Sequence, residues 1–176
     1  MVTDTRSLPV KAPEIDRLLG PLITHGVDFV LIGGQAGIAH GSSYPSYDVD
    51  VLYARGRDNV ARLVTALKEI GVRLRGAPAD LPFILDGKTI ENGANFTFIT
   101  SYGDFDVLAD AAGMPSYDEL KSAAVDREVF GHVVKVASID HLIAMKRAAG
   151  RTKDKLMVEE YIVLADEQRR TGRDGE

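Results

Sequence analysis

Neither cysteine nor tryptophan occurs anywhere in the 176 residues. Without thiols there is no disulfide framework and no thiolate metal site, a composition that fits the cytoplasm. Basic excess is also lacking. The 21 Lys and Arg are outnumbered by 26 Asp and Glu, and the net charge of −5 opposes broad nonspecific nucleic-acid binding, leaving room only for a local basic patch. No apolar run reaches the 18 residues that would suggest a membrane span, so the chain reads as soluble with no membrane partner. The start, Met1-Val-Thr-Asp-Thr-Arg-Ser7, does not have the basic-then-apolar order of a secretory signal. There is no internal repeat, and His25, His132 and His141 have no metal-ligand spacing. What is present is ordinary for a globular protein: 45% hydrophobic and 27% charged residues, in a length that suits one domain. That domain is expected over 11–168, between polar tails at 1–10 and 169–176.

The periodicity predicts an α/β fold. Ile15, Leu18, Leu19, Leu22 and Ile23 follow helical spacing after Pro13 and stop near Gly26. The apolar run from Asp28 to Ile32, closed by Gly33-Gly34, reads as a central strand buried on both faces. A short helix follows over 35–40, ending on His40, and then a strand from Asp48 to Tyr53. Val60, Leu63, Val64 and Leu67 mark a second amphipathic helix, from Asn59 to Ile70, that stops at Gly71. Short strands are expected at 72–75, 82–85, 95–99 and 105–108, with Asp86-Gly87 as a hairpin turn. Ser116 and Glu119 form a capping-box pattern, and 125–136 reads as a hairpin turned at Phe130-Gly131-His132. Ser138 caps a helix from Ile139 to Ala149. Gly150 breaks it, and Thr152 begins a last helix with Met157, Tyr161 and Leu164 on one face.

Between the first two strands lies the most informative stretch, running from Gly33-Gly34 to Asp48-Val49-Asp50. Residues i and i+2 of a strand share a face, so Asp48 and Asp50 project together while Val49 and Val51 turn away. Two carboxylates on one face form half of a clamp for Mg²⁺ (or Mn²⁺), a hard ion held by one or two carboxylates together with substrate phosphates. Ser42, Ser43 and Ser46, just ahead of the pair, offer hydroxyl donors to phosphate oxygens. The same spelling returns as Asp104-Phe-Asp106-Val-Leu108, so two neighbouring strands would aim acids at one point. An isolated Asp-x-Asp is commonplace on a solvated strand. A paired-glycine turn, a second Asp-x-Asp and a cluster of five cations between Lys146 and Lys155 together make it a candidate site. The cations sit on a helix, Gly, helix junction, where a helix N-terminus favours an anion.

With these motifs the chain resembles the polymerase β-like nucleotidyltransferase superfamily, in which a Gly-Gly or Gly-Ser turn is followed after about a dozen residues by Asp-x-Asp. It is most similar to small bacterial and archaeal members, including the nucleotidyltransferase toxins of the abortive-infection (AbiEii) class. Those members often read Gly-x-x-Arg-x-Thr-x-Asp-x-Asp. Gly41, Asp48 and Asp50 fit, whereas Tyr44 stands where Arg is common and Ser46 where Thr is common. The resemblance implies a mixed twisted sheet with flanking helices and a helical C-terminal region. It implies Asp106 as the third acid, since the family takes it from a later strand just before two aliphatic residues. It also implies Lys146, Arg151, Lys153 and Asp154 as contacts to a triphosphate or its positioning network, with Gly33, Gly34, Ser42 and Ser46 on the nucleotide. The implied activity is magnesium-dependent transfer of NMP from an NTP to a hydroxyl, on an RNA 3′ end such as tRNA or on a protein. For a toxin, a cognate antitoxin would be the partner. The alternative is a noncatalytic nucleotide-binding or regulatory module of the same fold.

Overall fold

A computed structural model describes residues 11–172; the expected N-terminal tail at 1–10 and the last residues, 173–176, lie outside it. Helix α1 (Ile15–Thr24) buries Ile15, Leu18, Leu19 and Leu22 and leads into β1 (Phe29–Ile32), whose four residues are all buried. Helix α2 (Gly33–Ala39) follows directly, then β2 (Asp48–Tyr53), α3 (Arg57–Ile70) and the two-residue β3 (Arg73–Leu74). Next come α4 (Gly87–Gly93), β4 (Phe96–Thr100), β5 (Gly103–Leu108), α5 (Tyr117–Ala123), β6 (Val125–Val129) and β7 (His132–Val136). The chain ends in α6 (Ile139–Ala149) and α7 (Thr152–Thr171).

The strands form one sheet in the order β3-β4-β5-β2-β1-β7-β6. Two pairs, β2 with β5 and β1 with β7, are parallel and the rest antiparallel, so the α/β fold with a mixed sheet is as the sequence predicts. Val49 and Val51 of β2 and Phe105 and Val107 of β5 are buried on the face away from the acids. Helices α1, α3 and α4 pack together as one group, and α2, α6 and α7 as another. A buried asparagine fastens the first group to the strands. Asn59 accepts from the Asp28 amide (2.7 Å) and donates to the carbonyls of Asp28 (3.0 Å) and Ala54 (2.7 Å).

Three local expectations change. Residues 82–85 are not a strand, and Asp86-Gly87 does not turn a hairpin. Asp86 instead caps α4, its carboxylate accepting the Thr89 amide at 2.8 Å, with Ile90 buried as the helix's anchor. An Asp ahead of a polar stretch with one apolar residue suits an N-cap as well as a turn, and the burial of Ile90 decides between them. The hairpin between β6 and β7 does form, on the two residues Phe130 and Gly131, both with positive φ (48° and 82°) as a tight type I′ turn requires. Finally, α7 continues through Arg169 and Arg170 to Thr171, into the stretch whose polarity suggested a tail.

Candidate active site

Parallel pairing of β2 with β5 sets Asp48 opposite Asp104 and Asp50 opposite Asp106, so the two Asp-x-Asp segments lie side by side on one face. Asp48, Asp50 and Asp106 each bring a carboxylate oxygen to within 4.8 Å of the others. Gly33 makes this possible. It opens α2 with φ +69°, and a Cβ there would overlap the Asp50 carboxylate, so only glycine lets the helix start so close to the acid. Gly34 allows a similar approach by Ser46, whose Oγ would lie 2.6 Å from an added Cβ. The Ser46 hydroxyl donates to the Asp48 carbonyl (3.2 Å), and the buried Gln35 amide donates to the Ser46 carbonyl (3.3 Å).

The crowding has an electrostatic consequence. Burial, and then the charges of Asp48 and Asp106, push the Asp50 carboxyl up to about 8, with Lys146 opposing weakly. Burial also raises Asp106, against the pull of Arg75. Arg75, just past β3, donates from Nη2 to Asp106 Oδ1 (2.7 Å) and to the Phe98 carbonyl (3.0 Å), and its Nε lies 3.3 Å from Asp104 Oδ2. The donor set is therefore three converging oxygen ligands whose mutual repulsion is incompletely neutralised, which fits a hard divalent cation.

A cleft of about 630 Å³ opens over the acids. Gly34, Ser46, Asp48, Asp50, Asp104 and Asp106 line one wall, and Lys146, Arg151, Lys153, Asp154 and Met157 the other. Gly150 ends α6 in a left-handed conformation and α7 starts two residues later, so the junction presents Lys146 and Lys153 to the same space as the acids. Asp154 is wholly buried. It accepts the Arg151 amide (3.2 Å) and Nε (2.8 Å) and lies 3.4 Å from Lys146 Nζ. Burial alone would raise its pKa. The Arg151 hydrogen bonds and the Lys146 charge more than offset this and hold the carboxyl below its usual range. Most of the Arg151 side chain is exposed (73%), so the residue serves α7 as a cap at least as much as it faces the cleft.

Not every residue singled out in the sequence lines the cleft. Gly33 lies behind Asp50 and acts through it. Ser42 takes the Tyr44 amide on its Oγ (3.2 Å), and Ser43 binds Glu160 of α7 through both its amide and its hydroxyl. These serines tie the α2–β2 loop to α7. Tyr44, in the position where an Arg is common, is packed against the hydrophobic core. His40 ends α2. Its Nε2 donates to the Ala137 carbonyl (2.8 Å) while its Nδ1 accepts from the Gln168 amide (2.9 Å). Sequence reasoning passed over Arg75, although Arg73-Leu-Arg75, running along and just past the edge strand β3, has the same alternation as the acids. Lys11 and Tyr47, also on the cleft wall, had no signal in the sequence.

No family model matches the chain, and neither does any curated protein. Solved structures do. The lincosamide antibiotic adenylyltransferase LnuA, with lincomycin bound, superposes with TM-score 0.58 at 11% identity, over 86% of this chain and 96% of that one. ANT(2'')-Ia in complex with adenylyl-2''-tobramycin gives 0.54 at 14% identity, over 89% and 95%. A Thermotoga maritima protein proposed to be a nucleotidyltransferase gives 0.54 at 13%, over 84% and 89%. At such identities the likeness is one of fold. The sheet and helices described above are arranged as in nucleotidyltransferases.

Proposed function

We propose, from a nucleotidyltransferase fold with three converging carboxylates, that this chain transfers NMP from an NTP to a hydroxyl acceptor, with residues 11–168 as the catalytic domain. The observation that carries this reading is the β2–β5 register, which brings Asp50 beside Asp106 at the floor of a cleft whose far wall is cationic. Asp48, Asp50 and Asp106 would hold Mg²⁺ (or Mn²⁺). When bound, the ion supplies Lewis acidity toward the phosphate oxygens and the attacking oxygen. The Gly34 and Ser46 wall receives the triphosphate, and Lys146 offsets charge on the departing group. The acceptor oxygen bonds to the α-phosphorus, the bond from that phosphorus to its bridging oxygen breaks, pyrophosphate leaves, and the hydroxyl proton passes to solvent.

For the acceptor, the resemblance to abortive-infection toxins supports a tRNA 3′ end or a protein hydroxyl, with an antitoxin as partner. A second reading has an observation of its own. Two of the solved neighbours hold lincomycin and adenylyl-2''-tobramycin, and the cleft volume falls within the range of small-molecule pockets, so a small hydroxyl compound suits the space. A noncatalytic module would bind NTP and transfer nothing, and the convergence of all three acids argues against it. Incubation of the protein with labelled NTPs, Mg²⁺ and total cell extract tests these readings. The RNA, protein and small-molecule fractions are then separated and assayed for label. Label in one fraction that is lost with Asp50→Asn is the expected result; no label, or the same label with the variant, would sink the proposal.

A further inference from the structure

Across the cleft face of the sheet, Asp50, Asp106 and Thr97 are successive register partners on β2, β5 and β4. Arg75 extends this row, its own amide bonded to the Thr97 carbonyl at 3.0 Å. Its guanidinium is held through one nitrogen by two hydrogen bonds and faces a second acid through another. Nη2 is held by the Phe98 carbonyl and by Asp106 Oδ1, while Nε approaches Asp104. Among the described residues, this guanidinium is the one cation that touches two of the four cleft-face acids. Asp106 would otherwise be free to rotate away from Asp50 and Asp48, since a carboxylate among like charges gains by turning to water.

We propose that Arg75 is the positioning residue of the acidic site. It engages one oxygen of Asp106 and so turns the other toward the point shared with Asp48 and Asp50. The inference rests on the reading of those acids as a metal site and adds to it a residue outside the carboxylate set. A planar fork anchored to a backbone carbonyl defines an orientation, whereas a mere counter-charge would not need one. The two possibilities also differ in sign. If orientation matters, losing the fork weakens metal binding; if only charge matters, losing a cation beside the ligands strengthens it.

The test is titration of the metal-free protein with Mn²⁺ alone, following free Mn²⁺ by electron paramagnetic resonance, for wild type, Asp50→Asn, Arg75→Ala and Arg75→Lys. Thermal melts check that each variant is folded. Positioning predicts that Mn²⁺ affinity falls about ten- to a hundredfold in both Arg75 variants, as for other outer-shell partners of metal ligands. Lysine should not rescue, because two different nitrogens of the guanidinium, Nη2 and Nε, face Asp106 and Asp104, and a single ammonium cannot occupy both positions. Tighter binding in Arg75→Ala with wild-type affinity in Arg75→Lys would overturn the proposal in favour of a counter-charge. Unchanged affinity in both would reduce Arg75 to a structural tie. Should Arg75→Ala not fold, Arg75→Lys decides by itself: weaker binding supports positioning and unchanged binding overturns it. If wild type takes up no Mn²⁺ that Asp50→Asn loses, the metal reading itself falls, and this proposal with it.

Discussion

The two walls of the cleft are built on opposite principles. On the strand wall, backbone pairing forces Asp48, Asp50 and Asp106 together with few compensating bonds, and the cost is visible in the raised Asp50 carboxyl. On the helical wall two of the cations are already paired, because buried Asp154 gathers the Arg151 amide, the Arg151 guanidinium and Lys146 into one cap. Sheet register is rigid, so the strand wall can hold like charges that a loop would let separate. A helix junction is held by its own caps, so its cations owe part of their placement to folding. One wall thus holds like charges close together, and the other pairs opposite ones.

The contrast is tested most severely by Asp50→Asn. It should lower the proposed metal-dependent nucleotidyl transfer by more than about a hundredfold, since it removes one of the three carboxylates proposed to hold the metal. In the metal-free protein it should nonetheless melt no lower than wild type. A variant that kept full activity would show the acids to be ordinary surface charges.

A steric change where α2 meets α7 comes next. Gly37 of α2 packs so closely on the wholly buried Tyr161 of α7 that an added Cβ would overlap its hydroxyl. Among the described residues that hydroxyl has no hydrogen-bond partner, and burial pushes its pKa up to about 12. Gly37→Ala should cost about 1–3 kcal/mol by overpacking. Tyr161→Phe should be neutral or stabilising and should recover part of that loss in the double variant, since the ring Cζ would still lie 2.7 Å from the added Cβ. Urea denaturation of the four proteins measures the coupling, and strict additivity would mean that the contact is relaxed.

The pH dependence follows from the sign of the Asp50 shift. Its folded pKa is raised from 3.8 to about 8, so the folded protein binds the extra proton across that window. The stability this contributes is full below about 4, declines as the pH rises, and is gone above about 8. Metal-free wild type should therefore lose melting temperature relative to Asp50→Asn between pH 5 and about 8, and Mg²⁺ should reverse the loss by favouring the ionised carboxylate. A gap between the two proteins that is constant with pH, or unmoved by Mg²⁺, would contradict the crowding. The last two effects, the second of them the smallest, belong to the helical wall. Lys146→Ala should weaken NTP binding about ten- to a hundredfold while leaving nucleoside binding alone. Arg151→Ala should change it far less, because that side chain is mostly exposed and already bonded to Asp154. Equal losses in calorimetric titrations would assign Arg151 to the triphosphate as well.

Much of this architecture was legible because its signals are local. The helical spacing of Leu18, Leu19 and Leu22, the apolar run of β1, the Ser138 cap and the Gly150 break each report on neighbours within a few residues, and each element forms as expected. The 82–87 stretch misled for the same reason: Asp86-Gly87 carries the local marks of both a turn and a cap, and only the packing of Ile90 resolves them. Arg75 was missed because its partners lie on strands that the chain reaches much later.

The sequence by itself determined which acids share a face, since alternation is a property of any strand: Asp48 with Asp50, and Asp104 with Asp106. It also determined where α6 must stop and α7 begin. Only the tertiary structure decided that β5 lies beside β2 in a register setting Asp106 against Asp50, that Gly33 admits the Asp50 carboxylate, and that Asp154 is buried beneath Lys146. Strand partnership and register are settled by burying Val49, Val51, Phe105 and Val107 against the helices, a sum over contacts from the whole chain that no short stretch contains.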